Sequence, residues 1–236
     1  MTTCFVAFGG NLGDVAATFS AAADALAATP GVSLAARSRT YRTRPMGDAA
    51  APAYLNAAVE LDTQLTPEVL LTEMQRIENR FGRTREQHWG SRTLDLDLLA
   101  AGTRVVATPR LTLPHPLAWH RRFVLDPWCE LSPEWTHPVL GETVRAMRER
   151  LLVRPLPVHA DAEELRRRLS RREDVVVVED STAAAIRFVS EHSARGPRNV
   201  LVPSGAAGGR LADDVLTAAL DDPQPLVSTD DERGGA

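Results

Sequence analysis

The chain has 236 residues, with 27 basic and 31 acidic side chains and a formal net charge of −4. That balance leaves no broad basic footprint for nucleic acid, and two cysteines, Cys4 and Cys129, offer no disulfide framework and no familiar zinc spacing with His115 or His120. No apolar run reaches the ~20 residues of a membrane span, and no charged leader precedes one, so a soluble cytoplasmic protein with one large domain, or a domain and an appendage, is expected.

In chain order, residues 4–8 read as a first strand, followed by the turn Gly9-Gly10-Asn11-Leu12-Gly13 and a helix over 15–28. Asp14 is its N-cap, and Phe19, Ala22, Ala23 and Leu26 form its apolar stripe. Pro30-Gly31 stops it. One long strand is predicted over 32–43 and another over 54–63. Leu70, Leu71, Met74, Ile77 and Phe81 then recur at helical spacing behind a Thr66-Pro67 start, and the helix should stop near Gly82. A polar loop follows over 82–91, then an alternating strand from Thr93, with Val105-Val106 a short strand beside it. Strand–helix–strand–strand–helix–strand is the order of a ferredoxin-like α+β sandwich, an antiparallel sheet with helices on one face. A dinucleotide-binding unit is the rival, but Gly9, Gly10 and Gly13 do not supply the G-x-G-x-x-G register.

Residues from about 150 onward form a separate stretch. Arg154-Pro155-Leu156-Pro157 reads as a linker. It leads to a charged helix (162–169), a strand (175–178), a helix (182–192), a strand (199–202) parallel to the previous one, and a helix (211–220). This small β-α-β appendage is too slight to stand alone and should dock on the first domain or on a second subunit. The glycine-bearing segment 202–209 reads as a flexible connector. The acidic, proline-bearing residues 221–236 read as a disordered tail. The expected division is therefore 1–150, 151–220 and 221–236.

The chemistry concentrates in Trp89-Gly90-Ser91-Arg92-Thr93-Leu94-Asp95-Leu96-Asp97-Leu98. Leucines at 94, 96 and 98 point one way along a strand, and Asp95 and Asp97 stand together on the other face. Like charges that close repel unless a cation covers them, and Mg²⁺, which shares oxygen ligands with substrate phosphates, suits the pair. Arg83, Arg85 and Arg92 bracket the preceding loop, and a guanidinium fork suits phosphate. An isolated Asp-x-Asp would more often be an acidic stripe facing water, and either loop arginine alone a solvated charge. Together they are the parts of a phosphoryl-transfer site. Farther on, prolines stiffen Thr108-Pro109-Arg110-Leu111-Thr112-Leu113-Pro114-His115-Pro116 and fix Arg110, Thr112 and His115.

With these motifs goes a further ordered set: Phe8-Gly9-Gly10-Asn11-Leu12-Gly13, Tyr41-Arg42-Thr43, Pro52-Ala53-Tyr54-Leu55-Asn56-Ala57-Ala58-Val59, and Arg121-Arg122-Phe123-Val124-Leu125. In this order, over roughly residues 3–140, the chain closely resembles 6-hydroxymethyl-7,8-dihydropterin pyrophosphokinase, a folate-pathway enzyme family. The resemblance implies a ferredoxin-like fold in residues 1–150 and transfer of pyrophosphate from ATP to the dihydropterin hydroxymethyl group with two Mg²⁺ ions. It assigns Asp95 and Asp97 to the metal and Arg83 and Arg92 to the phosphates in flight. Glu78, Arg85, Leu98, Arg110, Thr112, His115 and Arg121 fall to ATP, and Thr43, Met46, Tyr54, Asn56, Trp89 and Phe123 to the pterin. Aromatic faces such as Phe123 and Trp89, with an amide such as Asn56, suit a flat heterocycle, although each aromatic alone would more often be core. Arg44 stands where the family commonly has proline, and Met46 where it has leucine. A regulatory pterin- or nucleotide-binding protein is the competing class, but it has little use for a repulsive carboxylate pair. The expected partners are these small molecules, with no nucleic acid or membrane, and a homo-oligomer through the C-terminal unit.

Overall fold

The computed structural model describes residues 1–45, 52–82, 92–190, 198–203 and 205–226. Its first half follows the predicted order: β1 (Thr2–Gly10), α1 (Val15–Ala27), β2 (Val32–Arg37), β3 (Tyr41–Thr43), β4 (Tyr54–Thr63), α2 (Pro67–Arg80) and β5 (Asp95–Ala101). Both helix starts are capped as their sequences demand: the Asp14 side chain accepts from the Ala17 N–H at 3.0 Å, and the Thr66 hydroxyl from Val69 N–H at 3.4 Å. Gly82, at φ +80°, turns the chain out of α2 as a left-handed residue should.

The strands build an antiparallel sheet in the order β3-β4-β1-β5, with β2 also on β4. The long strand expected over 32–43 is broken in two. From Arg37 to Tyr41 four steps of chain pass only three of β4, from Val59 to Asn56, and the surplus residue cannot stay in the ladder. Ser38 bridges the break, its backbone N–H donating to Ala58 O and its hydroxyl accepting from Ala58 N–H, both at 2.9 Å.

Alternation along β1 divides the core. Cys4, Val6 and Phe8 pack with the α1 and α2 residues Phe19, Leu26, Leu70 and Met74. Phe5 and Ala7 face the other side, where Phe5 meets Trp128 at 5.4 Å between ring centroids. The expectation of helices on one face is thus corrected: Phe5, Leu99 and Ala100 are apolar residues on the second face, and that face is covered too.

The cover comes from the rest of the chain. A hairpin of β6 (Val106–Ala107) and β7 (Thr112–Leu113) precedes a 3₁₀ turn over Ala118–His120, then α3 (Arg122–Leu131) and α4 (Val144–Arg150). The strand expected at Val105-Val106 pairs with β7 and not with the Asp-x-Asp strand. Next come β8 (Leu156–Ala160), α5 (Glu163–Leu169), β9 (Val175–Val177), β10 (Ile186–Ser190), β11 (Asn199–Val202), α6 (Ala206–Leu220) and β12 (Gln224–Pro225).

The C-terminal half departs from its sequence reading in several ways. Four parallel strands in the order β11-β10-β8-β9 replace the two-stranded β-α-β unit, and β9 and β11 lie at opposite edges. The predicted linker 154–157 runs into β8, whose Leu156, Val158 and Ala160 are buried at period two. Pro155 just before it and Pro157 within it disguised the strand. The predicted helix 182–192 contains β10. Its alanines suggested a helix, but Ile186 and Phe188 are buried on alternate positions, and burial overrode propensity. Segment 202–209 is no connector, because α6 begins inside it. A Cβ on Gly208 would lie 1.9 Å from the Pro203 carbonyl oxygen, so the glycine permits a close crossing. Of the predicted tail, β12 is a strand: Gln224 and Pro225 pair antiparallel with Arg42 and Tyr41, and Leu226 N–H donates to Thr40 O at 2.8 Å. Residues 227–236 lie outside the described residues. One contiguous core joins Phe5, Leu99 and Trp128 of the first half to Leu156, Ile186, Phe188 and Leu216 of the second. Among the described residues no helix is long and apolar enough to cross a membrane.

Candidate active site

Register places the site. Gly9 of β1 pairs with Asn56 on one side and Asp95 on the other, and Ala7 pairs with Asp97. Three neighbouring strands therefore bring an amide and two carboxylates to the same region of the sheet. Gly9 sits directly between them: a Cβ there would lie at ordinary contact distance, 3.8 Å, from both Asn56 Oδ1 and Asp95 Cβ. Gly10 is tighter still. A Cβ there would sit 2.7 Å from the Thr93 carbonyl oxygen, so only glycine lets β1 run this close to the chain entering β5.

Asn11 fixes that entry. Its side-chain oxygen accepts from Arg92 N–H at 2.7 Å, while its own N–H donates to Arg92 O at 2.8 Å. With its backbone held, Arg92 reaches Asp95 in a close ion pair. Asp97 stands two residues on, with no hydrogen-bond or ion-pair partner among the described residues. Arg121 and His115 close this end. Burial lowers the Arg121 pKa, opposed by Asp97 and Asp95. Burial also lowers that of His115, with Asp97 pulling the other way and Arg121 adding to the fall.

Across β1 from Asp95, Asn56 Nδ2 donates to the Thr43 hydroxyl at 2.9 Å, which leaves its carbonyl oxygen to accept. Tyr54 and Phe123 supply ring surface, and the Arg121 guanidinium lies 5.7 Å from the Phe123 centroid. Burial raises the Tyr54 pKa, with Arg92 opposing and Asp95 adding. These residues line a cavity of about 350 Å³, together with Phe8, Gly9, Arg44, Leu117, Val124 and Asp221.

Of the sequence-predicted residues, Thr43, Tyr54, Asn56, Arg92, Asp95, Asp97, His115, Arg121 and Phe123 meet in this one cavity. Four others lie outside its described lining. Glu78 is buried behind the sheet, where its carboxylate accepts from Leu96 N–H at 2.8 Å and braces β5. Leu98 packs in the core between β5 and the first two helices. Arg110 and Thr112 sit exposed on the β6–β7 hairpin and its approach. Met46, Arg83, Arg85 and Trp89 lie outside the described residues. Sequence reasoning missed Leu117, Val124 and Asp221. The first two carry no chemical signature, and Asp221 sits in a stretch that composition alone marks as tail.

A concave site with a few convergent polar groups, set on a mixed α/β scaffold, is that of an enzyme acting on small molecules. A family model described as 7,8-dihydro-6-hydroxymethylpterin-pyrophosphokinase (HPPK) matches residues 5–133. The chain belongs to this family. Relatives named 2-amino-4-hydroxy-6-hydroxymethyldihydropteridine pyrophosphokinase share its sequence. That of Methylorubrum extorquens is 46% identical over 145 residues, 61% of this chain and 90% of the relative. That of Haemophilus influenzae is 35% identical over 160 residues, 66% and 100% respectively. Among solved structures, one of HPPK-DHPS in complex with substrates superposes with a TM-score of 0.51 at 11% identity, over 83% of this chain. The chain spans 59% of that protein's length, and the likeness speaks to fold alone.

Proposed function

We propose that this protein transfers the pyrophosphoryl group of ATP to the hydroxymethyl oxygen of 6-hydroxymethyl-7,8-dihydropterin, releasing AMP, as a step of folate biosynthesis. The observation that carries the site assignment is one cavity whose lining sets Asp95, Asp97, Arg92 and Arg121 beside Thr43, Asn56 and Phe123. The first set suits a polyphosphate and the second a flat heterocycle. The substrate oxygen bonds to the β-phosphorus, the bond from that phosphorus to the α–β bridging oxygen breaks, and the hydroxyl proton is released.

The donor set fits magnesium. Asp97 is an acceptor-only group without a partner among the described residues, and Asp95 is its neighbour on the strand. No cluster of three or more His, Cys, Asp or Glu residues surrounds them among the described residues, so water and phosphate oxygens would complete the shell, as Mg²⁺ prefers. Bound there, two Mg²⁺ ions would neutralise phosphate charge. Arg92 and Arg121 add preorganised positive charge, held in place by the Asn11 clamp and by burial. Arg83 and Arg85, proposed from the family motif to act on the phosphates, and Met46 and Trp89, proposed for the pterin, lie outside the described residues. Glu78, Leu98, Arg110 and Thr112 are assigned to the nucleotide by the same motif. For Glu78 and Leu98, buried as they are, the role is to hold β5 in register. This chemistry belongs to residues 1–150, with 151–226 as the supporting unit.

AMP release from ATP, measured with and without the dihydropterin and with and without Mg²⁺, tests the reading. AMP formed only when all three are present is expected. A protein that binds both ligands and forms no AMP would be a regulatory binder.

A further inference from the structure

The cavity has one lining residue that lies beyond the family match. Asp221, immediately after α6, lines it, although the match ends at residue 133. Two connections put Asp221 there. The Arg122 guanidinium donates to the Asp221 backbone oxygen at 3.1 Å. Arg122 is buried and also forks onto Asp126 at 3.0 and 2.7 Å, so it is a fixed anchor, and it lies between the cavity residues Arg121 and Phe123. Just beyond, β12 pairs with β3, which ends at Thr43, and Thr43 and Arg44 form the facing part of the lining. The segment from Asp221 to Leu226 is therefore tied to two sides of the cavity.

The cationic charges that act on the Asp221 carboxylate are those of Arg122 and Arg44, and Arg44 lines the cavity beside Thr43. Burial raises the Asp221 pKa, opposed by the Asp222 N–H and by the charges of Arg122 and Arg44. Arg121, by contrast, responds to Asp97, Asp95 and Arg92. No ion pair joins Asp221 to Arg44 among the described residues; the Asp221 Oδ1 accepts from the Asp222 N–H at 3.0 Å, and lone pairs on both carboxylate oxygens remain to accept further bonds.

We propose that Asp221 is a specificity residue for the substrate heterocycle, its carboxylate accepting hydrogen bonds from the ring N–H and exocyclic amino group of the pterin. The inference rests on the reading of this cavity given above. A pterin presents these two donors side by side, and a carboxylate is the side chain that accepts two at once. Asn56, whose amide nitrogen donates to Thr43, presents a single acceptor atom and so lacks the two-oxygen fork that matches a parallel pair of donors. The C-terminal unit thereby becomes part of the active site.

The test uses the full chain. Binding of 6-hydroxymethyl-7,8-dihydropterin and of its 2-deamino analogue is titrated calorimetrically for wild type, Asp221→Asn, Asp222→Asn and Asn56→Ala, with ATP binding as a second readout. Asp221→Asn should weaken the dihydropterin about tenfold or more, because the pocket loses a charged acceptor. It should weaken the 2-deamino analogue, which keeps only the ring N–H, clearly less than it weakens the dihydropterin, and should bind ATP within about twofold. Asp222→Asn should match wild type throughout. A dihydropterin affinity for Asp221→Asn within about twofold of wild type, or an equal loss with the analogue, overturns the proposal. If Asn56→Ala also leaves dihydropterin affinity unchanged, the reading of the cavity itself fails.

Discussion

Asn11 and Arg92, 81 positions apart, hold each other's backbone through a reciprocal pair of hydrogen bonds at 2.7 and 2.8 Å. The glycine pair ahead of Asn11 lets the two chain segments meet, and the amide then fixes the arginine that reaches Asp95. The glycine turn that failed the dinucleotide register in the sequence is here a clamp on Arg92, the arginine proposed to act on the phosphates. Replacing Asn11 by alanine leaves the Arg92 N–H without its acceptor in a part-buried place, a loss of about 1–3 kcal/mol. We expect a matching drop in urea unfolding free energy, and a fall in kcat/KM of about tenfold as Arg92 loosens. Lost stability with unchanged kcat/KM would show that the clamp does not position the arginine.

Asp97→Ala should separate chemistry from folding. Its side chain supports no other described group, so the melting temperature and circular dichroism should stay close to wild type. Turnover at saturating Mg²⁺ should fall on the order of a hundredfold or more, as when other preorganised electrostatic groups are removed. A variant within a few-fold of wild type would remove Asp97 from the reaction.

The first half was legible because its signals were local and mutually consistent. Asp14 and Thr66 cap, Gly82 stops a helix, and leucines alternate with Asp95 and Asp97, so register and facing followed directly. The break between Arg37 and Tyr41 left no trace, because a one-residue surplus is set by the partner strand and not by the strand itself. The C-terminal half misled for the opposite reason. Pro157, the alanines before Ile186 and the glycines before Arg210 each carry a local preference that burial overrides. The site was legible where motifs carried it. Asp221 was invisible, since its role arises only when α6 and β12 bring it back across the sheet.

Asp126 anchors the join between the halves. It is buried, takes Arg122 Nε and Nη2, and accepts from Arg148 Nε of α4 at 2.7 Å. Asp126→Asn keeps the shape but leaves the buried Arg122 with, among the described residues, only the exposed Asp222 carboxylate, 3.8 Å away, to balance it, a loss of about 3 kcal/mol. Urea midpoints should shift accordingly. A change under about 1 kcal/mol would mean the carboxylate is not what holds these arginines.

His120 should make the fold acid-sensitive. Burial pushes its pKa down from 6.5 to about 3, with Arg121 adding to the fall, and neither ring nitrogen has a hydrogen-bond partner among the described residues. The native state thus keeps the ring neutral while the unfolded chain takes a proton near pH 6.5. Between those values the unfolded chain binds more protons, so stability falls as pH drops, by about 2 kcal/mol at pH 5 relative to pH 7 from this group. His120→Phe, which keeps a ring against Trp119, should flatten that slope in unfolding titrations. An unchanged slope would place the acid sensitivity elsewhere.

Truncation after Arg150 tests how far the two halves are one body. By motif content alone, such a fragment would keep its activity, since every family motif precedes it. The structure argues otherwise. Removal strips Leu156, Val158, Ile186, Phe188 and Leu216 from the core they share with Leu99, Leu125 and Trp128, and it deletes both the Asp221 wall and the β12 edge strand. Each fully buried aliphatic or aromatic side chain contributes about 1.5–3 kcal/mol, so losing five, about 8–15 kcal/mol, is as large as the 5–15 kcal/mol that holds a typical domain together. The fragment should be poorly soluble, bind a hydrophobic dye, and unfold without a cooperative transition. A soluble fragment with a sharp melt and the full-length kcat/KM would show that residues 1–150 stand alone, and that the shared core covers a face able to close by itself.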